Sequence, residues 1–191
     1  MKLMMPVHFK SCLVMALMVS GYQFFGLVIA PVYAAQVQGY IVESDLYVDI
    51  NNQRIGPGSR WDASVEKNLG YQISKNYVGE VSFAGERYRY FQHNYPGLEV
   101  YTSNFMWDKQ HRSIDSYIVS QLTIDSPKIK TYRGISVGMT EGYLIQKYGK
   151  GTPDFSDNQY WLYYDGDEKR VSFQIENGRV SHIMMVFNPD N

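Results

Sequence analysis

Gly134-Ile135-Ser136-Val137-Gly138-Met139-Thr140-Glu141, running on through Gly142-Tyr143-Leu144-Ile145-Gln146-Lys147-Tyr148 to Gly149, is the stretch that decides the reading of this 191-residue chain. It reads as a short loop followed by a two-turn helix that a glycine closes. A weaker twin lies upstream. Ile55-Gly56-Pro57-Gly58-Ser59 is followed by Trp61, Val65 and Leu69 at the i, i+4, i+8 spacing of one helix face, with Ser59 placed as cap, Asp62 three residues on, and Gly70 closing the helix. Both copies carry Ile-x-x-Gly, an early acidic residue (Asp62, Glu141), an aliphatic Val65 or Leu144, and the terminal glycine.

Strands surround each copy. Tyr40 to Glu43 and Leu46 to Ile50 precede the first, the latter alternating Leu46, Val48 and Ile50 with Tyr47 and Asp49. After the first helix, Arg87 to Gln92 and Leu98 to Thr102 flank the turn Tyr95-Pro96-Gly97, and Tyr117 to Ile124 follows. After the second come Tyr160 to Tyr164, the alternation Val171-Phe173-Ile175, and Val180 to Phe187, with Glu176-Asn177-Gly178-Arg179 as a hairpin turn between the last two. The expected fold class is therefore α+β: two tandem loop-helix-antiparallel-sheet units, residues 35–125 and 126–191, whose sheets join or pack edge to edge, with helices packed on one face of the sheet. The first unit carries an insertion, residues 103–115, and a connection of that length is more often functional than idle.

Gly-Ile-x-Val-Gly-Met-Thr followed by a short helix and Lys-Tyr-Gly resembles the signature of the BamE/SmpA-like envelope proteins. In tandem it also resembles the repeat of the β-lactamase inhibitory protein family. The resemblance implies helices on one face of an antiparallel sheet whose other face is free to bind another protein. It transfers no catalytic residue. BamE-type proteins carry a lipidated cysteine and the inhibitory proteins are disulfide-stapled, whereas the only cysteine here is Cys12.

Residues 1–34 have the parts of a secretory signal peptide: Lys2 and Lys10, the uncharged and largely apolar run Cys12 to Ala30, and Val32-Tyr33-Ala34, with cleavage expected after Ala34. A retained membrane anchor is the rival reading, weakened by Gly21, Gln23 and Pro31. The expected product is exported, periplasmic or extracellular, without cysteine and without a stable membrane span. Its 16 basic and 19 acidic residues give a charge of −3, which argues against a nucleic-acid partner.

The candidate chemistry is thin. Gly134 to Gly138 fits the nucleophile-elbow pattern Gly-x-Ser-x-Gly, and Asp165 or Asp167 and then His182 follow in the order such a hydrolase uses. That fold needs parallel strands with crossover helices, and the strands here are hairpin-linked; the twin loop also has Gly56 where Ser136 stands. Asp165-Gly166-Asp167-Glu168 starts like a calcium loop, but Lys169 falls at the fifth position and a strand follows, so a hairpin turn is expected. His93, His111 and His182 lack zinc-ligand spacing. No catalytic group, metal or cofactor is expected.

Aromatic residues carry the remaining signal. Tyr88, Tyr90, Tyr160, Trp161 and Tyr163 lie on strands and read as core or half-buried sheet positions. Tyr101, Phe105, Trp107, His111 and Arg112 lie in or beside the insertion, where no periodicity demands them, and Tyr, Trp and Arg supply large low-entropy contacts at interfaces. They are the expected binding residues of a non-catalytic module whose partner is another envelope or extracellular protein. A glycan or small ligand stacking on the same aromatics is the alternative; a loop that folds back over the core end is the structural one.

Overall fold

The computed structural model describes residues 39–187. The leader, with Cys12 and the expected cleavage after Ala34, lies outside the described residues. A short 3-10 turn (Glu43–Leu46) leads into a small hairpin, β1 (Val48–Ile50) and β2 (Gln53–Ile55), whose turn is Asn51-Asn52 in the left-handed region. Then come β3 (Arg60–Trp61) and α1 (Ala63–Leu69). Four strands follow: β4 (Ser74–Phe83), β5 (Glu86–Tyr95), β6 (Leu98–Ser103) and β7 (Tyr117–Ile124). After α2 (Glu141–Tyr148) there are four more: β8 (Thr152–Asp154), β9 (Trp161–Asp165), β10 (Lys169–Glu176) and β11 (Arg179–Phe187).

Turn chemistry dictates the hairpins. Asn177 and Gly178 both take positive φ, the Asn-Gly signature of a two-residue turn, and Ala84-Gly85 does the same between β4 and β5. Gly97 has φ +71°, and a Cβ there would lie 2.5 Å from Ser126 Cβ, so only glycine fits. Apart from the two-stranded β1–β2 sheet, the described strands form one nine-stranded antiparallel sheet in the order β4-β5-β6-β7-β11-β10-β9-β8, with β3 against β7. β7 and β11 meet at the centre, Ile124 opposite Ile183.

The α+β expectation with helices packed on one face of the sheet is corrected here: the described chain is β-rich, a nine-stranded sheet with two short helices. The helices have only seven and eight residues. They add Val65, Leu69, Leu144 and Tyr148 to a core that strand residues such as Val100, Leu122, Phe173, Ile183 and Met185 dominate. The physical reason is β4. Its residues are mostly exposed and a bulge lies between Tyr77 and Gly79, so no alternation marked it as a strand. The first helix is also shorter than the spacing predicts. Trp61 lies in β3 opposite Tyr117, and Asp62, not Ser59, caps the helix by accepting from the Ser64 and Val65 amides.

Among the described residues no helix is long and apolar enough to cross a membrane.

Candidate functional site

Side-chain alternation gives the sheet two unlike faces. One carries Val100, Leu122, Met185 and Val171 into the core, whereas the facing register positions Gln92, Tyr101, Gln121 and Val186 lie on the other. On that second face, around β4 to β7 and β11, a groove of about 370 Å³ is lined by Val81, Phe83, Tyr90, Tyr101, Phe105, Gln121 and their neighbours Ser120, Val186 and Phe187. Val81 is 52% exposed, so a large apolar side chain stands at its mouth.

Phe105 forms one wall. It is buried, with its ring 5.1 Å from that of Tyr88 edge-on, 5.3 Å from Phe83 and 6.2 Å from Phe187. Tyr101 is half-buried on β6, its hydroxyl accepting from Gln92 Nε2 at 3.1 Å, and burial pushes its phenol above the usual value. Beside it a bulge in β7 brings the Ser120 hydroxyl to donate to the Tyr101 carbonyl at 3.0 Å.

The connection between β6 and β7 is fixed by side chains that replace the missing ladder. Buried Asn104 accepts from the Arg89 amide (2.8 Å) and donates to the Ile114 carbonyl (3.0 Å), tying both ends of the loop to β5. Arg112 donates to the Phe105 carbonyl, to the Ser116 carbonyl at 2.8 Å and to Gln110 Oε1 at 3.0 Å. Burial holds its guanidinium below the usual pKa. The Tyr88 hydroxyl reaches Asp108 at 3.1 Å. The loop is therefore a folded wall, with Phe105 held from behind by Arg112.

Of the five residues read as binding groups, Tyr101 and Phe105 come together in the groove. Arg112 lines a separate cleft of about 600 Å³ with Trp61, Asp62 and Tyr117. Trp107 is half-buried, its amide donating to the Asn104 carbonyl and its carbonyl accepting from the Arg112 amide, and His111 is exposed at a left-handed loop position. Neither Trp107 nor His111 lines the groove. Sequence reasoning missed Val81 and Phe83, which belong to the unrecognised β4, and Val186 and Phe187, which looked like ordinary strand residues.

The other motifs resolve locally. Ser136 is buried in the loop before α2, and among the described residues no parallel strand leads into it. His182 on β11 meets Ser181 Oγ at 3.2 Å and Asp125 at 3.4 Å instead. Asp165 to Glu168 forms the β9–β10 turn, closed by the Gly166 amide on the Lys169 carbonyl, with Asp165 paired to Arg170 at 2.6 Å. His93 is buried between Gln72 Nε2 (2.9 Å) and Thr102 Oγ1 (3.0 Å), and desolvation lowers its pKa to about 4. Among the described residues no three His, Cys, Asp or Glu side chains are grouped to hold a metal.

No family model matches the chain, and no curated protein matches it in sequence. Among solved structures it is similar to the uncharacterized protein yfeY from Escherichia coli, at TM-score 0.42 and 12% identity over 79% of this chain and 99% of that one.

Proposed function

We propose that the protein is a non-catalytic binding module, exported to the periplasm or beyond, that takes an apolar segment of another envelope or extracellular protein on the uncovered face of its sheet. The groove containing Tyr101, Tyr90 and Phe105 carries this reading. A concave site with aromatic walls, a few polar groups and a rigid rim has the make-up of a protein-recognition hot spot, where large side chains are desolvated without much loss of entropy. The rim is rigid because Asn104 and Arg112 bind the loop to its own backbone. The leader read in the sequence and the absence of any cysteine beyond Cys12 support an exported, thiol-free product.

A second reading is favoured by the groove volume of about 370 Å³, which lies in the range of small-ligand pockets. In that reading the occupant is a glycan unit or small apolar molecule stacked on Tyr101 and Tyr90. The test compares wild type with Val81→Asp, which puts a charge at an exposed position of the mouth, in affinity capture from envelope extract. A discrete protein lost in Val81→Asp supports the protein-binding reading. A small molecule seen by native mass spectrometry, with no captured protein, transfers the site to the second reading.

A further inference from the structure

The two ends of the sheet are finished differently. β8, at one end, has three residues with Pro153 in the middle, a short edge that offers a neighbour little to pair with. β4, at the other, is ten residues long without proline, and among the described residues nothing pairs with its outer side. Its exposed apolar residues are Tyr77 (55%), Val78 (49%) and Val81 (52%).

We propose that β4 pairs antiparallel with β4 of a second copy, joining two sheets about a two-fold axis between Tyr77 and Val78. The register follows from the bulge. Opposite residues of an antiparallel pair share a face, and pairing with β5 assigns the faces of β4. Lys75 and Tyr77, opposite His93 and Phe91, share the core-side face with Glu80 and Ser82, opposite Arg89 and Arg87. Ser74, Asn76, Gly79 and Val81 share the other. The bulge at Val78 shifts this alternation, so most two-fold registers oppose residues from unlike faces.

Of the registers that span the bulge, two keep the faces matched. One sets Lys75 opposite Glu80 of the second copy and Glu80 opposite its Lys75, with Ser74 opposite Val81 and Asn76 opposite Gly79. The other sets Lys75 opposite Ser82 and Glu80 opposite Tyr77, leaving both charges without a facing partner. Charge complementarity selects the first, twice over by symmetry.

Both charged groups have room for this. Their side chains are 47% and 39% exposed, and each touches one partner of its own chain: Lys75 meets Glu66 at 2.9 Å, and Arg87 meets Glu80 at 3.6 Å. An ammonium has three donors and a carboxylate about four acceptor sites, so a second partner fits. Tyr77 and Val78 of the two copies meet at the axis and cover each other. The groove opens on the face of Val81, which the pairing sets beside Ser74 of the second copy, whereas Lys75, Tyr77 and Glu80 lie on the opposite face and Val78 does not line the groove.

Sedimentation velocity of the purified protein over a range of concentrations tests this. The expected result is a monomer–dimer equilibrium. Lys75→Glu and Glu80→Lys singly should each weaken the dimer by roughly tenfold, and the double variant Lys75→Glu/Glu80→Lys should restore it, because only the swapped pair regains both contacts. Val78→Lys, at a bulge position 49% exposed, should abolish the dimer while circular dichroism stays unchanged. A protein monomeric at every concentration, a dimer that persists in Val78→Lys, or a double variant no tighter than the singles overturns the proposal.

Discussion

Arg133 donates through Nε and Nη2 to both carboxylate oxygens of Asp45, 88 residues earlier, at 2.8 and 2.6 Å, and Asp45 is wholly buried. Its guanidinium also lies 4.6 Å from the centre of the Tyr148 ring, at the end of α2. One side chain thus fastens the N-terminal 3-10 turn to the second helix. Hydrogen bonding to Asp45 holds the Arg133 pKa above its usual value. Arg133→Met should cost about 3 kcal/mol, since a buried carboxylate is left without its partner. Arg133→Met combined with Asp45→Leu should recover part of that loss, measured by urea unfolding of the four species.

His93 predicts an acid-labile fold. Its folded pKa of about 4, lowered by desolvation and by Lys75 against the opposing pull of Glu66, lies below the ordinary 6.5. A depressed histidine means that the unfolded chain binds the proton first. Its contribution is therefore fully present above pH 6.5 and is lost as pH falls from 6.5 toward 4, by about 3 kcal/mol in all. Glu66, kept below its usual 4.5 by Lys75 and Trp61 despite its burial, loses its own contribution only under that value. Unfolding free energies at a series of pH values should show the slope in wild type. His93→Gln should flatten it between pH 6.5 and 4.5.

Arg112 predicts local rather than global loosening. Arg112→Ala removes the donors to the Phe105 and Ser116 carbonyls, so residues 104–116 should exchange amide hydrogens much faster while the β10–β11 hairpin keeps its protection. Hydrogen-exchange mass spectrometry reads both regions in one experiment. Equal acceleration in the two would contradict the role of Arg112 as the staple of the wall.

What the sequence made legible follows from where water is. Tyr117 to Ile124, Leu98 to Thr102 and Val180 to Phe187 bury much of their apolar content, so their apolar runs between turn residues marked them almost to the residue. Gly149 and Gly70 were readable as helix stops because both take positive φ. β4 escaped because an edge strand exposed on both faces has no reason to alternate, and a bulge breaks what pattern remains. Missing it left the sheet without its long outer strand and hid Val81 and Phe83 from the site. Arg112 was read as an interface residue by its type. Its partners are backbone carbonyls of its own loop, which no sequence pattern announces.

The most direct test of the binding reading is site-specific photo-cross-linking in the native envelope. A benzoylphenylalanine at Tyr101, in the groove, is compared with one at Tyr143, which is 39% exposed on α2 and does not line the groove. A discrete adduct with one protein from position 101 and none from 143 is the predicted result. No adduct from 101, or the same adducts from both positions, would contradict the assignment of this face as the site of partner binding.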